Sequence, residues 1–214
     1  MRLHDYAASG NCYKVRLLFA LLGLECERVT VDIFAGDTLT PKFARLNPLR
    51  ETPVLELDSG ETIAQSNAIL WYVAEGTGYL PADRLEQARV VQWLSFEQER
   101  IMPCLGGTRF RRATGRAALD PALDAARFQT GLGALHVLDD HLIERDWLVG
   151  DRCSIADLSV FAYTHVSDQA GFELADYPAV VAWLGRIRSL PAFVADDLRY
   201  PENAQPGRGR SIYD

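Results

Sequence analysis

The chain has 214 residues, 48% of them hydrophobic and 24% charged, the composition of a globular protein that can bury a sizeable core. Its formal net charge of −7 at pH 7 argues against a nucleic-acid partner, because surfaces that bind DNA or RNA are basic. We expect neither a signal peptide nor a membrane helix, since no apolar stretch approaches ~20 residues. The 4 cysteines are widely spaced without a Cys-x-x-Cys pair, which favours a reducing compartment. We therefore predict a cytoplasmic protein that binds neither nucleic acid nor a membrane.

The first part of the chain alternates between strand and helix patterns. Apolar residues within 12–22 recur at the spacing of an amphipathic helix, and Gly23 is a typical stop. Asp58-Ser59-Gly60 is a turn-forming tripeptide that predicts a hairpin. In chain order we predict a strand (2–6), a helix (12–22), a strand (29–33), a short helix from Thr40-Pro41, a hairpin (53–64) and a helix (66–75).

Strand alternation disappears after residue 76. Residues 77–83 contain Gly78 and Pro81 and predict a linker. Helices are predicted over 84–112, 121–145, 154–169, 178–189 and 191–198, and the tail 200–214 is predicted to be irregular. Pro103 should kink or break the first of these helices. We therefore predict an α/β domain (1–76), a linker (77–83) and an all-helical domain (84–214).

Ser9 lies where the first strand gives way to the first helix. The free N–H groups and the dipole of a helix N-terminus favour an anion such as a thiolate. A hydroxyl that donates to sulfur stabilises the thiolate and lowers the pKa of the thiol, so Ser9 is a candidate activator of a bound thiol. The alternative is that Ser9 or Asn11 only caps the helix, as these residue types commonly do.

Cys12 follows Ser9 by three residues, the spacing of a redox Cys-x-x-Cys pair. The attacking position of such a pair holds a serine here, which argues against dithiol exchange by the protein itself. We therefore interpret Cys12 as a partly buried packing residue.

Pro53 and the pair Gln65-Ser66 are candidates for a second ligand contact. Pro53 opens a strand; if the Thr52–Pro53 bond is cis, the backbone of Thr52 turns toward a ligand, and otherwise Pro53 only starts the strand. Ser66 is placed to cap the next helix, where a serine beside free N–H groups also suits a carboxylate. The alternative is a cap and nothing more. The order of all three segments within one βαβ–α–ββα unit favours a binding site.

Residues 1–76 resemble the thioredoxin-like N-terminal domain of serine-type glutathione transferases. The matching segments are Ser9-Gly10-Asn11-Cys12, Asn47-Pro48-Leu49-Arg50-Glu51-Thr52-Pro53-Val54-Leu55 and Gln65-Ser66-Asn67-Ala68-Ile69. In the helical part, Leu148-Val149-Gly150-Asp151 and Ser154-Ile155-Ala156-Asp157 resemble the folding motif of the family. Ser154 and Asp157 have the spacing of a capping box. The resemblance extends to about residue 195, with Thr52 in place of the usual valine.

The resemblance implies that glutathione is the co-substrate and that the protein is a homodimer. Ser9 would hydrogen-bond the glutathione sulfur, with Asn11 as a second candidate. The other implied contacts are Thr52 (through its backbone, held by a cis Pro53) to the cysteinyl part, Gln65 and Ser66 to the γ-glutamyl end, and Lys42 or Arg50 to the glycyl carboxylate. Trp93, Phe96 and Glu97 are candidates for the dimer interface.

The function implied by the resemblance is a transferase with a role in detoxification. It would stabilise the glutathione thiolate and add it to a small electrophile. A glutathione-dependent disulfide reductase or isomerase is an alternative. A non-catalytic binding or interaction protein with the same fold is another.

Two clusters of charged residues have open interpretations. The arginines around Phe110 (Arg109, Arg111, Arg112 and Arg116) would either grip an anionic co-substrate or form a solvated face. A second cluster comprises His136, Asp139, Asp140, His141 and Glu144. We predict no metal there, because His136 and Asp140 are i,i+4 neighbours but His141 points elsewhere, and the segment resembles the polar face of a helix.

Overall fold

The computed structural model describes residues 1–196 and 198–213, which form a small mixed sheet followed by a helical region. The strands are β1 (Arg2–Asp5), β2 (Glu27–Thr30), β3 (Val54–Glu56) and β4 (Thr62–Ala64). The helices of the first region are α1 (Gly10–Leu22), α2 (Pro41–Leu46) and α3 (Ser66–Ala74). Those of the second are α4 (Arg84–Phe96), a π-helical segment (Glu97–Gly106), α5 (Gly107–Ala113), α6 (Pro121–Leu142), α7 (Ile155–Thr164) and α8 (Pro178–Arg188). The predicted fold class, thioredoxin-like α/β followed by all-α, is confirmed.

The sheet has the strand order β2-β1-β3-β4, so the two central strands are the first and third in the chain. β1 runs parallel to β2 and antiparallel to β3, and β3 runs antiparallel to β4. The predicted strand 29–33 is too late in the chain. Asp32 ends the pairing, because its carboxylate accepts hydrogen bonds from the backbone N–H groups of Phe34 (2.9 Å) and Ala35 (3.1 Å) and closes a turn.

One large hydrophobic core joins the sheet region to the helical region. Leu18 of α1 and Leu55 of β3 belong to the same buried cluster as Leu135 of α6 and Trp183 of α8. Contacts between α1 and α7 form much of the joint. The sheet is therefore fixed against the helical region by apolar packing, whose burial is the main favourable term in folding.

A buried ion pair lies in this joint. The ammonium of Lys14 on α1 is 3.0 Å from the carboxylate of Glu97 at the start of the π-helical segment, and both side chains are fully buried. Asn67 on α3 and Ser159 on α7 complete the network: Ser159 donates to Asn67 at 2.7 Å, and Lys14 donates to both. Burial lowers the pKa of Lys14, and the charge of Glu97 opposes that change. Four helical elements are thereby tied together by charge-assisted hydrogen bonds.

The interface prediction for Trp93, Phe96 and Glu97 is wrong for two of the three residues. Glu97 is fully buried and paired with Lys14, and Trp93 is only 8% exposed. The Trp93 ring packs against Phe96 and His141 at centroid distances of 5.3 and 4.7 Å. The sequence pattern marks an apolar helix face, but it does not tell whether that face packs within the chain or against another one.

The chain stays helical through Pro103, so the predicted break does not occur, but the helix is distorted around this residue. In an α-helix the Pro103 ring would clash with the carbonyl of Glu99. The residues Glu97–Gly106 adopt the wider π-helical turn instead, seen in the bond from the Gly107 N–H to the Met102 carbonyl five residues back. The helix predicted over 84–112 is therefore a continuous but irregular path over Arg84–Ala113.

The predicted helix over 191–198 is absent from its described residues, 191–196 and 198. Ala192 has a φ of 64°, which a helix does not allow. Side chains of α1 hold the segment instead: the Tyr13 hydroxyl donates to the Val194 carbonyl at 2.7 Å, and Arg16 pairs with Asp196. Competing tertiary contacts therefore override the local helical pattern.

The predicted capping box at the start of α7 is confirmed. The carboxylate of Asp157 accepts from the backbone N–H and the hydroxyl of Ser154, both at 2.9 Å. Asp157 is fully buried and also accepts from the Leu148 N–H and the Trp183 indole at 2.9 Å. Burial raises the pKa of Asp157, and these hydrogen bonds oppose the rise. This one side chain therefore fixes α7 to both α8 and the preceding loop.

Within residues 1–196 and 198–213, no helix combines the length and apolarity needed to cross a membrane. The same residues bring no three histidine, cysteine, aspartate or glutamate side chains together in an arrangement suited to a metal. His141 contacts the Leu148 carbonyl at 3.0 Å, and His136 packs its ring against Tyr177.

Candidate active site

A cavity of about 570 Å³ lies between the sheet region and the helical region. Its first wall carries seven of the eight residues predicted from the sequence: Ser9, Asn11, Arg50, Thr52, Pro53, Gln65 and Ser66. Lys42, the eighth, is exposed on α2 and does not line the cavity. The geometry therefore favours Arg50 over Lys42 as the cation near a ligand.

Ser9 caps α1 at the edge of the cavity. It has an extended backbone (φ −88°, ψ 122°), and its side-chain oxygen accepts from the Cys12 N–H at 3.2 Å. This is the expected geometry of an N-cap. The cap and the ligand-facing position coincide, so the two interpretations of Ser9 do not exclude each other.

Cys12 lies behind this wall rather than in it. The side chain is fully buried, where a partly buried one was predicted, and it does not line the cavity. Burial raises the pKa of the thiol to about 11, although hydrogen bonds from the Tyr6 backbone and from the Thr52 and Ser9 side chains oppose the rise. The thiol is therefore protonated at neutral pH, and Cys12 has the packing role predicted for it.

Asn11 joins the two halves of the first wall. Its side-chain carbonyl accepts a hydrogen bond from the Ser66 hydroxyl at 3.2 Å. Its backbone N–H donates to the hydroxyl of Tyr163, on α7, at 3.2 Å. The N-termini of α1 and α3 are thus held side by side, and both present backbone N–H groups near the cavity.

Ser66 is not the helix cap that the sequence predicts. It is the first residue of α3, and Gln65 occupies the cap position with a φ of 71° and no capping hydrogen bond from its side chain. The Ser66 side chain bonds to Asn11 instead and is 4% exposed. A helix N-terminus without its own side-chain cap leaves its first N–H groups for another acceptor.

The loop before Pro53 is built around Asn47. The Asn47 amide donates to the Glu51 carbonyl at 2.9 Å, and its oxygen accepts from the Leu49 N–H at 3.0 Å. The Thr52–Pro53 peptide bond is cis. Arg50 has a φ of 59°, and its guanidinium donates to the Leu39 carbonyl while lining the cavity.

The second wall of the cavity is mainly aromatic. Tyr6, Phe110, Tyr163, Tyr200 and Tyr213 line it, together with Ile33, Met102, Pro103 and Ile212. The Phe110 ring packs against Tyr200 and Tyr213, each at a centroid distance of 5.4 Å. The Tyr6 hydroxyl is buried without a hydrogen-bond partner. Such a wall suits an apolar, planar ligand.

The C-terminal tail supplies part of this second wall. It is irregular, as predicted, apart from a short 3₁₀ turn at Glu202–Ala204, but it is packed against the sheet region. The Arg210 N–H donates to the Phe34 carbonyl at 2.8 Å, and the Asn203 amide donates to Asp32 at 2.9 Å. These bonds place Tyr200 and Tyr213 over the cavity.

Two arginines anchor the tail, so the interpretation of the arginine cluster as a solvated face is wrong for them. Arg109 is 2% exposed, donates to Gln169 (2.7 Å) and to the Leu198 carbonyl, and lies 4.8 Å from the centre of the Tyr200 ring. Arg116 is 7% exposed and donates to the Ala204 carbonyl. Sequence spacing does not show these contacts, because they join residues about ninety positions apart.

Tyr163 and Arg127 line the cavity without having been singled out from the sequence. A Cβ on Gly10 or Gly106 would lie 2.5 or 2.4 Å from the Tyr163 ring, so both positions require glycine for this close packing. The pairing of two such glycines with one tyrosine is visible only in the folded chain.

The sequence matches two family descriptions: "Glutathione S-transferase, N-terminal domain" over residues 8–75 and "Glutathione S-transferase, C-terminal domain" over residues 110–191. The solved structure of a possible glutathione S-transferase from Rhodopseudomonas palustris is 39% identical, with a TM-score of 0.89 over 92% of this chain and 97% of that one. Disulfide-bond oxidoreductase YfcG of Escherichia coli (strain K12) is 32% identical over 195 residues, which cover 87% of this chain and 90% of the relative. Maleylacetoacetate isomerase of Rhizobium meliloti (strain 1021) is 31% identical over 211 residues, 95% and 97% of the two chains.

A thioredoxin-like sheet region that presents two helix N-termini to a cavity, closed by a helical region, defines the architecture of the glutathione transferases. The sequence matches and the structural similarity agree with this architecture. The chain belongs to the glutathione S-transferase family.

Proposed function

We propose that the protein is a cytoplasmic glutathione transferase that activates the glutathione thiol and adds it to a small electrophile. The single observation that carries this proposal is the position of Ser9. Its hydroxyl lies at the N-terminus of α1 and lines the same cavity as Thr52 and Ser66. A thiolate placed there is stabilised by the helix N-terminus and by a hydroxyl donor.

The geometry of Ser9 is compatible with capping and donation at once. A hydroxyl has one hydrogen to donate and two lone pairs to accept with. Ser9 accepts from the Cys12 N–H with one lone pair, which leaves the hydrogen for the glutathione sulfur. The buried Cys12 thiol is a competing acceptor, but it carries no charge at neutral pH. A bound thiolate is the stronger acceptor of the two.

The remaining contacts of glutathione follow the shape of the first wall. The Thr52 backbone would pair with the cysteinyl part, and Gln65 with Ser66 would hold the γ-glutamyl carboxylate at the N-terminus of α3. Arg50 would take the glycyl carboxylate, because it lines the cavity and Lys42 does not. Asn11 orients Ser66 and is the second candidate for the sulfur contact.

In the reaction, the thiol proton passes to solvent and the thiolate sulfur forms a bond to the electrophilic atom. The acceleration comes from thiolate stabilisation and from holding two reactants in one cavity. The aromatic second wall, to which α5, α7 and the tail contribute, would bind the electrophile.

Glutathione-dependent disulfide reduction is the second candidate function. The absence of a Cys-x-x-Cys pair and the protonated, buried Cys12 leave glutathione itself as the source of the attacking sulfur. The thiolate would attack a disulfide sulfur and release a second thiolate. The similarity to a disulfide-bond oxidoreductase supports this candidate, and the similarity to an isomerase supports glutathione-dependent isomerisation.

The proposal is tested by parallel assays with glutathione and either chlorodinitrobenzene or a glutathione-capped disulfide. A transferase conjugates the aryl halide, with release of chloride, at a rate above the uncatalysed reaction. Turnover of the disulfide alone would contradict the transferase activity and support glutathione-dependent disulfide reduction. Binding of glutathione without turnover of either would leave a binding protein.

We also propose a homodimer, as in the family resemblance, although Trp93 and Glu97 are excluded from its interface by their burial within the chain. Light scattering coupled to size exclusion would give a mass near twice 23.8 kDa for the dimer. A mass of one chain would contradict this proposal.

A further inference from the structure

The charge on the second wall of the cavity differs from that of the protein as a whole. The chain has a net charge of −7. Three of the cavity-lining residues of the helical region are arginines, namely Arg111, Arg116 and Arg127, and no carboxylate of that region lines the cavity in the part of the chain that the structure describes. With Arg50 and Glu51 of the sheet region included, the described lining has four arginines and one carboxylate, a net positive charge in a negatively charged protein. Such a cavity attracts anionic ligands.

Of these three arginines, Arg127 is the one that has no hydrogen-bond or ion-pair partner among the described residues. It lies on α6. Arg112, on the neighbouring α5, instead pairs with Asp124 at 3.0 Å. Gly107 leaves the space in which the Arg127 guanidinium lies, because a Cβ there would come within 3.2 Å of it. An arginine directed to a cavity without a partner is positioned to bind an anionic group of a ligand.

Arg111 contributes a second, pre-positioned guanidinium. Its terminal nitrogen donates to the carbonyls of Arg116 and Asp120, both at 3.0 Å. These acceptors are neutral, so they orient the group without cancelling its charge. The Nε of Arg111 is buried and has no hydrogen-bond partner among the described residues.

The aromatic residues define the other end of the ligand. Phe110, on the same helix as Arg111, packs between Tyr200 and Tyr213 of the tail. Rings in this arrangement present flat apolar surfaces that stack on a planar group. The cations and the rings lie on one wall, so a single small molecule can contact both.

We propose that Arg127 and Arg111 form an anion subsite of the second-substrate pocket, and that the preferred co-substrate is a planar aromatic compound carrying a carboxylate. This proposal rests on the proposed function for its chemistry. The carboxylate binds the arginines and the ring stacks on the aromatic wall. The thiolate then attacks the electrophilic carbon: a C–S bond forms, the bond to the leaving group breaks, and the leaving group departs with the bonding electrons.

The test compares two matched electrophiles with saturating glutathione. One is a chloronitrobenzoate with the nitro group ortho and the carboxylate para to chlorine; the other is its methyl ester. Each rate is divided by the uncatalysed rate, because the ester is the more reactive compound. Arg127→Gln should raise KM for the carboxylate by about tenfold and KM for the ester by less than twofold. Arg127→Lys should restore much of the loss, since it restores the charge.

Arg152→Gln is the matched control, because Arg152 is an exposed arginine paired with Asp151 outside the cavity. It removes the same charge and should change neither KM. An equal effect of Arg127→Gln on both electrophiles, or no effect on either, would overturn the anion subsite. Since Arg127 has no partner to lose, the variant should fold normally, and a thermal melt checks this.

A binding arm separates this inference from the proposed function. If the protein conjugates neither electrophile, calorimetry compares non-reactive nitrobenzoate with nitrobenzamide in the presence of glutathione. Preference for the carboxylate that disappears in Arg127→Gln would support the subsite without the transferase activity. No preference would overturn the subsite.

A third arm identifies the source of the carboxylate, because a second glutathione molecule also carries carboxylates. KM for glutathione disulfide is measured in the same variants. An effect of Arg127→Gln on the disulfide but not on the aryl carboxylate would overturn the aromatic class and assign the subsite to a second glutathionyl group.

Discussion

The two walls of the cavity use different parts of the chain to make a binding surface. The first wall consists of short polar segments at helix and strand ends, and much of what it offers a ligand is backbone: the N-termini of α1 and α3 and the loop before Pro53. The second wall consists of large side chains, mainly from the π-helical segment, α5, α6, α7 and the tail, with Tyr6 and Ile33 from the sheet region. A backbone surface can serve one constant ligand, whereas a side-chain surface changes with each substitution. The first wall therefore suits glutathione and the second suits the variable co-substrate.

The buried pair Lys14–Glu97 joins the two walls, and breaking it should have the largest effect on stability. Glu97→Gln leaves the Lys14 charge buried without its counter-charge, so we expect a loss of about 3–5 kcal/mol in the free energy of unfolding. Urea unfolding measures this change.

The double variant Lys14→Met/Glu97→Gln removes both charges and should recover part of the loss. If Glu97→Gln cost less than about 1 kcal/mol, the pair would not be the joint between the walls that we describe.

Ser9→Ala tests the first wall. Loss of one hydrogen bond to a charged sulfur should lower the conjugation rate about ten- to hundredfold, equivalent to about 1.5–3 kcal/mol. The variant also loses a helix cap, which costs about 1 kcal/mol of stability. Steady-state kinetics at saturating glutathione give the rate.

Thr40→Ala is the matched control for the cap. Thr40 caps α2 through a bond from the Phe43 N–H at 3.2 Å and does not line the cavity. It should lower stability by a similar amount and leave the rate unchanged. An undiminished rate in Ser9→Ala would remove Ser9 from the mechanism, and Asn11→Ala would then be the next variant to measure.

Tyr213→Ala tests the second wall and its independence from the first. Removing this ring from Phe110 should raise KM for an aromatic electrophile by about fivefold, near 1 kcal/mol. The Kd of glutathione should change by less than twofold. Tyr72→Ala is the control, because Tyr72 is 48% exposed and lies outside the cavity. A matching loss of glutathione affinity in Tyr213→Ala would contradict the separation of the two walls.

The last prediction concerns a pH dependence of stability from His165, which does not line the cavity. Burial lowers the pKa of its imidazole, which stacks on Phe161 and contacts the Phe161 carbonyl at 2.9 Å. Below pH 6.5 the unfolded chain therefore binds a proton more readily than the folded one, and stability falls as the pH drops.

The slope from this residue is at most about 1.4 kcal/mol per pH unit, present between the unfolded and the lower folded pKa. This slope is measured by urea unfolding of wild type and His165→Gln at a series of pH values from about 8 to about 5. An identical pH dependence in the two proteins would show that His165 does not titrate in this way.

The difference between the walls also explains what the sequence could predict. Residues of the first wall could be predicted because a helix cap and a strand-opening proline are recognised from a few neighbouring residues. This holds for Ser9, Thr52-Pro53 and Ser66. Ser66 was given the wrong local role, because its bond to Asn11 joins two segments and competes with capping.

In the second wall, the sequence singled out the arginines around Phe110 but not their contacts, for the same physical reason. The burial of Arg109 depends on the Leu198 carbonyl, and the placement of Tyr213 depends on Phe110, contacts that no local pattern records. The spacing of apolar residues in α4 predicts a helix, but it does not predict which part of the protein buries Trp93. Long-range packing, rather than propensity, decides these positions.

The most direct test of the account is the pH titration of the ultraviolet absorbance of the glutathione thiolate, bound to wild type and to Ser9→Ala. We predict that the thiol bound to wild type titrates well below the pKa of free glutathione, and that the value returns toward the free one in Ser9→Ala. An unshifted titration in wild type, despite bound glutathione, would contradict thiolate activation. A shift of the same size in both proteins would contradict the role of Ser9.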